Sequence, residues 1–130
     1  MFLNVLNTEE KEKFLELIYK IASVDGDFSE DEEEIVNNYK IELEVFEIKD
    51  TGTIEELLSY FGTKDESIRK LVLFEVYGMI CADGKIEQTE EKIFEYSKNV
   101  LGLTQEQIKD ITEVASELQR VYDKIYDILS

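Results

Sequence analysis

The sequence predicts an all-α fold, a compact bundle of about six to seven helices. Apolar residues recur at helical spacing along almost the whole chain, and no proline interrupts its 130 residues. Two similar stretches, SVDGDF at 23–28 and CADGKI at 81–86, lie 58 residues apart, and each joins an apolar segment to an acidic one. We therefore expect an internal pseudo-repeat of helix, Asp-Gly turn and helix. Because no linker-like tract is present, residues 1–130 are expected to form one domain.

Two helices are predicted in the first 42 residues. Asn7 and Glu10 have the spacing of a capping box, which typically opens a helix. One face of this helix is apolar and is formed by Phe14, Leu17, Ile18, Ile21 and Ala22. Ser29 and Glu32 repeat the spacing and open the second helix. Residues 43–52, LEVFEIKDTG, fit either a loop or one short extended segment.

The middle of the chain predicts a short helix followed by a long apolar one. Thr53 opens the short helix, which should end near Gly62. Thr63, with Glu66 three residues later, then opens a helix that runs to about Ala82. Since this helix is apolar on nearly all sides, we expect it at the centre of the fold.

Two further helices complete the prediction. One runs from about Gln88 to Val100 and stops at Gly102, and the last begins at Thr104. Apolar residues of the last helix alternate at intervals of three and four: Ile108, Ile111, Ala115, Leu118, Tyr122, Ile125 and Leu129. This spacing suits a coiled coil, and hence a homodimer through the C-terminal helix. A second apolar row widens the stripe and favours a helix that lies across a globular core: Val114, Val121 and Ile128.

Charge and composition exclude several classes of function. The chain carries 31 Asp and Glu against 14 Lys and Arg, a net charge of −17, so it should repel nucleic acids and anionic membranes. A metal ion or a protein with a basic surface is the electrostatically favoured partner. The most apolar window, 71–82, is too short for a membrane span, and no signal peptide is recognisable, so we expect a cytoplasmic protein without direct membrane insertion.

Nothing in the sequence indicates catalysis. The chain has no histidine and one cysteine, Cys81, which excludes zinc sites of the Cys/His kind and triads with a histidine base. We find no phosphate-binding loop, no nucleophile–base pair and no cofactor fingerprint. The expectation is a protein that is not an enzyme, with no catalytic residues.

The two Asp-Gly turns contain half of a calcium-binding loop. Asp25 and Glu32 in the first copy, and Asp83 and Glu90 in the second, occupy the fifth and twelfth positions of an EF-hand loop, with glycine at the sixth. The first and third ligand positions hold unsuitable residues: Ile21 and Ser23, and Met79 and Cys81. A complete EF-hand is therefore not expected.

These same segments resemble a known family. MICADGKIEQTEE at 79–91, and less closely KIASVDGDFSEDEEE at 20–34, are similar to the tellurite-resistance TerB family, which includes the amino-terminal domain of the co-chaperone DjlA. The resemblance implies a bundle of about seven helices, a place in bacterial stress response and in tellurite or metal-ion resistance, and action by association. It also implies that acidic residues near the Asp-Gly turns bind metal ions.

Carried over to this chain, the resemblance makes Asp25, Glu32, Asp83 and Glu90 the candidate ligands of a divalent cation such as Ca²⁺, Mg²⁺ or Mn²⁺. Asp27 adds charge in the first turn and is the fifth candidate. The competing interpretation is structural. Asp25 and Asp83 would hydrogen-bond to amides of the turns, while Glu32 and Glu90 would close capping boxes. The two interpretations are compatible and both stay open.

Three hypotheses of function follow. The first is a non-catalytic protein-interaction module that a divalent cation modulates at the turns. The second is an acidic mimic of nucleic acid, which inhibits a basic protein by filling its groove. The third is a carboxylate-based metallohydrolase, which would need inward-facing glutamate pairs on facing helices.

Overall fold

A computed structural model describes residues 2–24, 26, 28–81 and 86–130 of the chain. Over these residues the chain is all-helical, without strands, as predicted. A short 3-10 helix, Leu3–Val5, precedes six α-helices. Their bounds are α1 Thr8–Ala22, α2 Glu30–Leu43, α3 Ile54–Gly62, α4 Glu66–Ile80, α5 Gln88–Val100 and α6 Gln105–Leu129. The connection between α2 and α3 contains no extended strand, so the loop interpretation of this stretch is correct.

Local capping residues set most helix starts. Asn7, Ser29, Thr53 and Thr104 each accept a hydrogen bond from the amide three residues later, and the Glu or Gln at that position bonds back. The predicted start at Thr63 is wrong. Thr63 ends α3, and α4 begins after Asp65, whose carboxylate accepts from the amide of Ile68 at 3.2 Å. Asp is as good an N-cap as Thr.

Two compact units make up the chain, residues 1–63 and 64–130, and the assignment of the whole chain to one domain stays a prediction. In the first unit α1 packs against both α2 and α3. Its fully buried side chains include Phe14, Leu15, Ile18, Leu58 and Phe61. In the second unit α4 packs against both α5 and α6, which confirms that the long apolar helix is central there. Its core includes Val72, Leu73, Val76, Ile80 and Leu101.

The internal repeat of the sequence is also a repeat of structure. Helices α1 and α4 have the same length of 15 residues, and each begins and ends 58 positions from its counterpart. The N-caps Ser29 and Glu87 keep that offset. So do the left-handed residues that follow α2 and α5, Glu44 with φ 57° and Gly102 with φ 63°. The second Asp-Gly turn lies outside the described residues.

Across the described part of the chain, none of the helices combines the length and the apolar character that crossing a membrane requires.

Candidate functional site

Only part of each predicted cation site falls within the described residues. Asp25, Asp27 and Asp83 lie outside them, whereas Glu32 and Glu90 are described. Gly26, which lies between Asp25 and Asp27 in the sequence, has φ 81°, and its amide donates to the carbonyl of Ser23 at 3.0 Å. This left-handed conformation favours glycine and explains why the first turn contains one.

Both described glutamates act as helix caps. The Oε1 atom of Glu32 accepts from the amide of Ser29 at 3.3 Å and from its hydroxyl at 3.0 Å. The Oε1 atom of Glu90 accepts from the amide of Glu87 at 3.1 Å. The structural role proposed for these two residues is therefore present. Within the described ranges no three Asp, Glu or Cys side chains are grouped as metal ligands, and cation binding stays a prediction.

A buried carboxylate that the sequence did not single out lies in the first unit. The side chain of Glu16, on α1, is 1% exposed. Its Oε2 atom accepts from the amides of Thr51 at 2.7 Å and Gly52 at 3.1 Å, and its Oε1 atom accepts from the Thr51 hydroxyl at 2.7 Å. Lys20, one turn later, donates to Oε2 at 3.0 Å. Glu16 thus fastens the α2–α3 loop, residues 44–53, to α1.

Lys20 completes this cluster, which we call the loop anchor: Glu16, Lys20, Asp50, Thr51 and Gly52. Its ammonium also donates to Asp50 at 2.7 Å and to the carbonyl of Gly52. Burial opposes ionisation of Glu16, but the hydrogen bonds from Thr51, Lys20 and Gly52 outweigh it and lower the pKa of the carboxyl below 4.5. The hydrogen bond to Asp50 raises the pKa of Lys20, with burial acting against it and Glu16 adding to it. Both groups are therefore charged at neutral pH.

An open groove of about 520 Å³ lies beside the loop anchor. Its walls are formed by Thr8, Glu9, Glu12, Lys13, Glu16, Lys49 and Thr51. Lys13 donates to the Thr51 hydroxyl at 2.8 Å, and Lys49 is paired with Glu12. Because the lysines of the groove are paired with its own acceptors, the arrangement serves mainly to hold the loop.

The metallohydrolase hypothesis requires inward-facing glutamates on facing helices. In the described residues the buried carboxylates are Glu10 and Glu16, and both lie on α1. Glu10 bonds to the amide of Asn7 at 2.8 Å as part of a capping box. These two side chains stabilise helix and loop backbone, and they do not form a pair across two helices.

The expectation that the last helix lies across a globular core holds for its first half. Its first half packs on α4, where Ala115 is buried and Leu118 is half-buried. From Arg120 to the end every residue is exposed. Six exposed apolar side chains share one helix face with Leu118, and Tyr126, also exposed, lies on the flank of that face. We call the set on the face the α6 stripe: Val114, Leu118, Val121, Tyr122, Ile125, Ile128 and Leu129.

Comparison with known proteins finds no match to a protein-family model, to a curated protein or to a solved structure. The resemblance to the TerB family therefore stays a prediction that rests on the two Asp-Gly segments.

Proposed function

We propose that this chain is a non-catalytic, acidic helical protein that acts by binding another protein, and that the α6 stripe is the contact surface. The supporting observation is the exposure of large apolar side chains on an ordered helix. Ile128 and Leu129 are 80% and 77% exposed, and Val121 and Ile125 are 49% and 42% exposed. A contiguous apolar surface of this kind is typical of protein-interaction sites.

The stripe favours association over the mimicry of nucleic acid. A mimic would present its carboxylates to a basic groove, so acidic residues would dominate its contact surface. The most exposed apolar surface of α6 is instead the face that lacks charged residues, because Arg120, Asp123 and Asp127 lie on the opposite side of the helix.

The role implied by the TerB resemblance is kept as part of the proposal. Association would then serve bacterial stress response, including tellurite or metal-ion resistance. A divalent cation at the Asp-Gly turns would modulate it, with Asp25 and Asp27 in the first turn and Asp83 in the second as ligands beside Glu32 and Glu90. Carboxylates crowded at a helix start repel one another, and a hard cation relieves that repulsion.

A photo-crosslinking side chain tests the contact surface. It is placed at Ile128 on the stripe, and in a matched variant at the neighbouring Asp127 on the opposite face. We expect adducts with a protein, identified by mass spectrometry, from position 128 and few from position 127. No adduct from position 128, or equal adducts from both, would contradict the proposal.

Calorimetry tests the cation separately. Ca²⁺, Mg²⁺ and Mn²⁺ are titrated into the wild type, Asp25→Asn, Asp83→Asn and the control Glu55→Gln, an exposed position on α3. Binding that is lost in either aspartate variant and kept in the control supports a site at that turn. Binding that all variants retain, or no binding by the wild type, removes the cation from the proposal.

A further inference from the structure

We propose that the partner of the α6 stripe is a second copy of this chain, and that the two α6 helices pair antiparallel about a two-fold axis between Val121 and Tyr122. This inference rests on the proposed function and names its partner. It follows from three features of α6: its length, its charge and the order of its side chains.

Length makes the surface accessible. With 25 residues, α6 is about 37 Å long at 1.5 Å per residue, whereas the 15 residues of α4 span about 22 Å. Helix α6 therefore extends well beyond the helix on which it packs. An isolated apolar helix end in water is unfavourable, and pairing with another helix buries the exposed side chains.

Charge selects the kind of partner. The whole chain has a net charge of −17, but from Leu118 to Ser130 it carries two basic and two acidic residues. These are Arg120, Lys124, Asp123 and Asp127. A basic protein would gain little from this neutral segment, and an anionic membrane would require an excess of Lys and Arg. Two copies of the chain, in contrast, meet here with the least electrostatic repulsion.

The order of side chains favours the antiparallel register. With the axis between residues 121 and 122, Leu118 faces Ile125 of the second copy, and Val114 faces the second copy's Leu129. Val121 faces Tyr122 of the second copy beside the axis. Six of the seven stripe residues thus meet another member of the stripe, while Ile128 lies opposite the buried Ala115 and covers the end of the contact. Such isologous contact is the rule in two-fold dimers.

Residues on the flanks of the stripe agree with the same register. Lys124 and Glu117 lie on the same flank, because seven residues complete almost two turns of an α-helix. In an antiparallel pair, equal flanks face each other, so Lys124 lies near Glu117 of the second copy, twice by symmetry. In a parallel pair this flank would face Gln119 and Tyr126 instead. The antiparallel arrangement also holds the two α6 starts, and the acidic residues near them, about 50 Å apart.

The interface is small, because each copy contributes one helix face. Interfaces below about 1,200 Å² in total belong to weak complexes, so we expect a dimer that dissociates on dilution. Analytical ultracentrifugation of the full chain over a wide concentration range measures this equilibrium. The wild type should move from monomer to dimer with rising concentration. A wild type that stays monomeric throughout would overturn the proposal.

Two variants with the same new side chain locate the interface. Ile125→Gln removes an apolar group from the centre of the stripe, and Arg120→Gln changes the opposite face. We expect the first to weaken dimerisation at least tenfold and the second to leave it nearly unchanged. Equal effects of the two would place the interface elsewhere and overturn the proposal.

Disulfide crosslinking in a Cys81→Ser background tests the register. Val121→Cys places two thiols beside the axis and should form a covalent dimer. Val114→Cys places them about 22 Å apart in the antiparallel pair, but side by side in a parallel one. A covalent dimer from Val114→Cys would overturn the register. A monomeric chain whose position 128 still crosslinks to a different protein would overturn self-association and leave the proposed function standing.

Discussion

In residues 1–63 and 64–130 the first two α-helices correspond to each other, α1 to α4 and α2 to α5, but the third α-helix is connected in different ways. In the first unit a long loop, residues 44–53, leads to the short helix α3, and Glu16 of α1 accepts hydrogen bonds from its amides. In the second unit a tight connection, residues 101–104, leads to the long helix α6. Here Arg69 of α4 is the hydrogen-bond donor, and a backbone carbonyl of the connection accepts.

The contacts of Arg69 mirror those of Glu16. Its Nη1 atom donates to the carbonyl of Leu101 at 2.8 Å and to that of Gly102 at 3.3 Å, and its Nε atom donates to the backbone carbonyl of Lys64 at 3.0 Å. The sequence of the other unit does not repeat either anchoring residue. At the offset of 58 residues, Glu16 corresponds to Phe74, and Arg69 corresponds to Lys11.

The difference shows what decides the choice of an anchoring side chain. A helix leaves its last carbonyls without helical partners, so a short connection after α5 needs a donor. A long loop folded against a helix also presents unpaired amides, which need an acceptor. A repeated hairpin thus keeps its core and its caps, while each connection has its own anchor.

The largest expected effect comes from removing the anchor of the first unit. Glu16→Ala leaves two loop amides and the Thr51 hydroxyl without this acceptor, while Lys20 keeps Asp50 and the Gly52 carbonyl. Unsatisfied groups typically cost about 1–3 kcal/mol each, so we expect a loss of about 3 kcal/mol in total. Urea unfolding followed by circular dichroism measures this loss. The control is Glu12→Ala, which breaks a partly exposed ion pair with Lys49 and should cost much less. Equal midpoints for the two variants would show that the buried anchor adds nothing.

Removing the anchor of the second unit should have a smaller effect. Arg69→Met keeps much of the apolar stem and removes three hydrogen bonds to carbonyls, and we expect a loss of about 2 kcal/mol. Lys70→Met is the matched control, because it breaks a pair with Glu66 in which both side chains are about half exposed. A loss in Arg69→Met no greater than in the control would contradict this role.

The two anchors should also differ in their dependence on pH. Since the pKa of Glu16 is lowered on folding, its contribution is present above its ordinary value of 4.5 and is lost as pH falls through the lower folded value. Glu16→Gln should cost about 1–2 kcal/mol near neutral pH, and this difference from wild type should shrink in acid. Arg69 stays protonated, so the cost of Arg69→Met should vary little over the same range. Urea midpoints measured from about pH 7 downward, through and below the ordinary glutamate pKa of 4.5, provide the comparison.

The smallest expected effects concern the left-handed residue after the second helix of each unit. Gly102→Ala puts a residue with a Cβ atom at a left-handed backbone position, φ 63°, and should destabilise the folded protein by about 1 kcal/mol. Steric conflict is not the cause, because the nearest atom, Arg69 Nη1, is at an ordinary 3.6 Å. Glu44→Gly makes the opposite change at φ 57° and should stabilise by up to about 1 kcal/mol. In thermal unfolding, Gly102→Ala should lower the midpoint temperature and Glu44→Gly should raise it. Shifts of the same sign would contradict the equivalence of the two positions.

The sequence predicted well what depends on neighbouring residues. The capping boxes at Asn7, Ser29, Thr53 and Thr104 involve residues three apart, so their spacing is visible in the chain. The repeat was visible for a similar reason, because both copies keep the same order of apolar and acidic residues. The start at Thr63 was missed since Asp65, two residues later, offers an equally good cap.

The loop anchor, and the exposure of the α6 stripe to solvent, depend on contacts between residues far apart in the sequence. Glu16 meets Thr51, 35 residues away, and no periodic pattern connects them. One signal was present, a charged residue between Leu15 and Leu17 in an otherwise buried row, with Lys20 one turn later. The apolar spacing of α6 is nearly uniform, so it could not show which half packs on α4 and which half is exposed.

The order of helix packing within each unit has a consequence for folding speed. In both units the first helix packs against the next two helices of the chain, so every major pairing closes a loop of modest length. Folds built from such local contacts typically form in microseconds to milliseconds. The chain contains no proline, so no slow isomerisation of a prolyl bond should delay either unit. Refolding from urea should therefore lack the phase of tens of seconds that proline commonly causes.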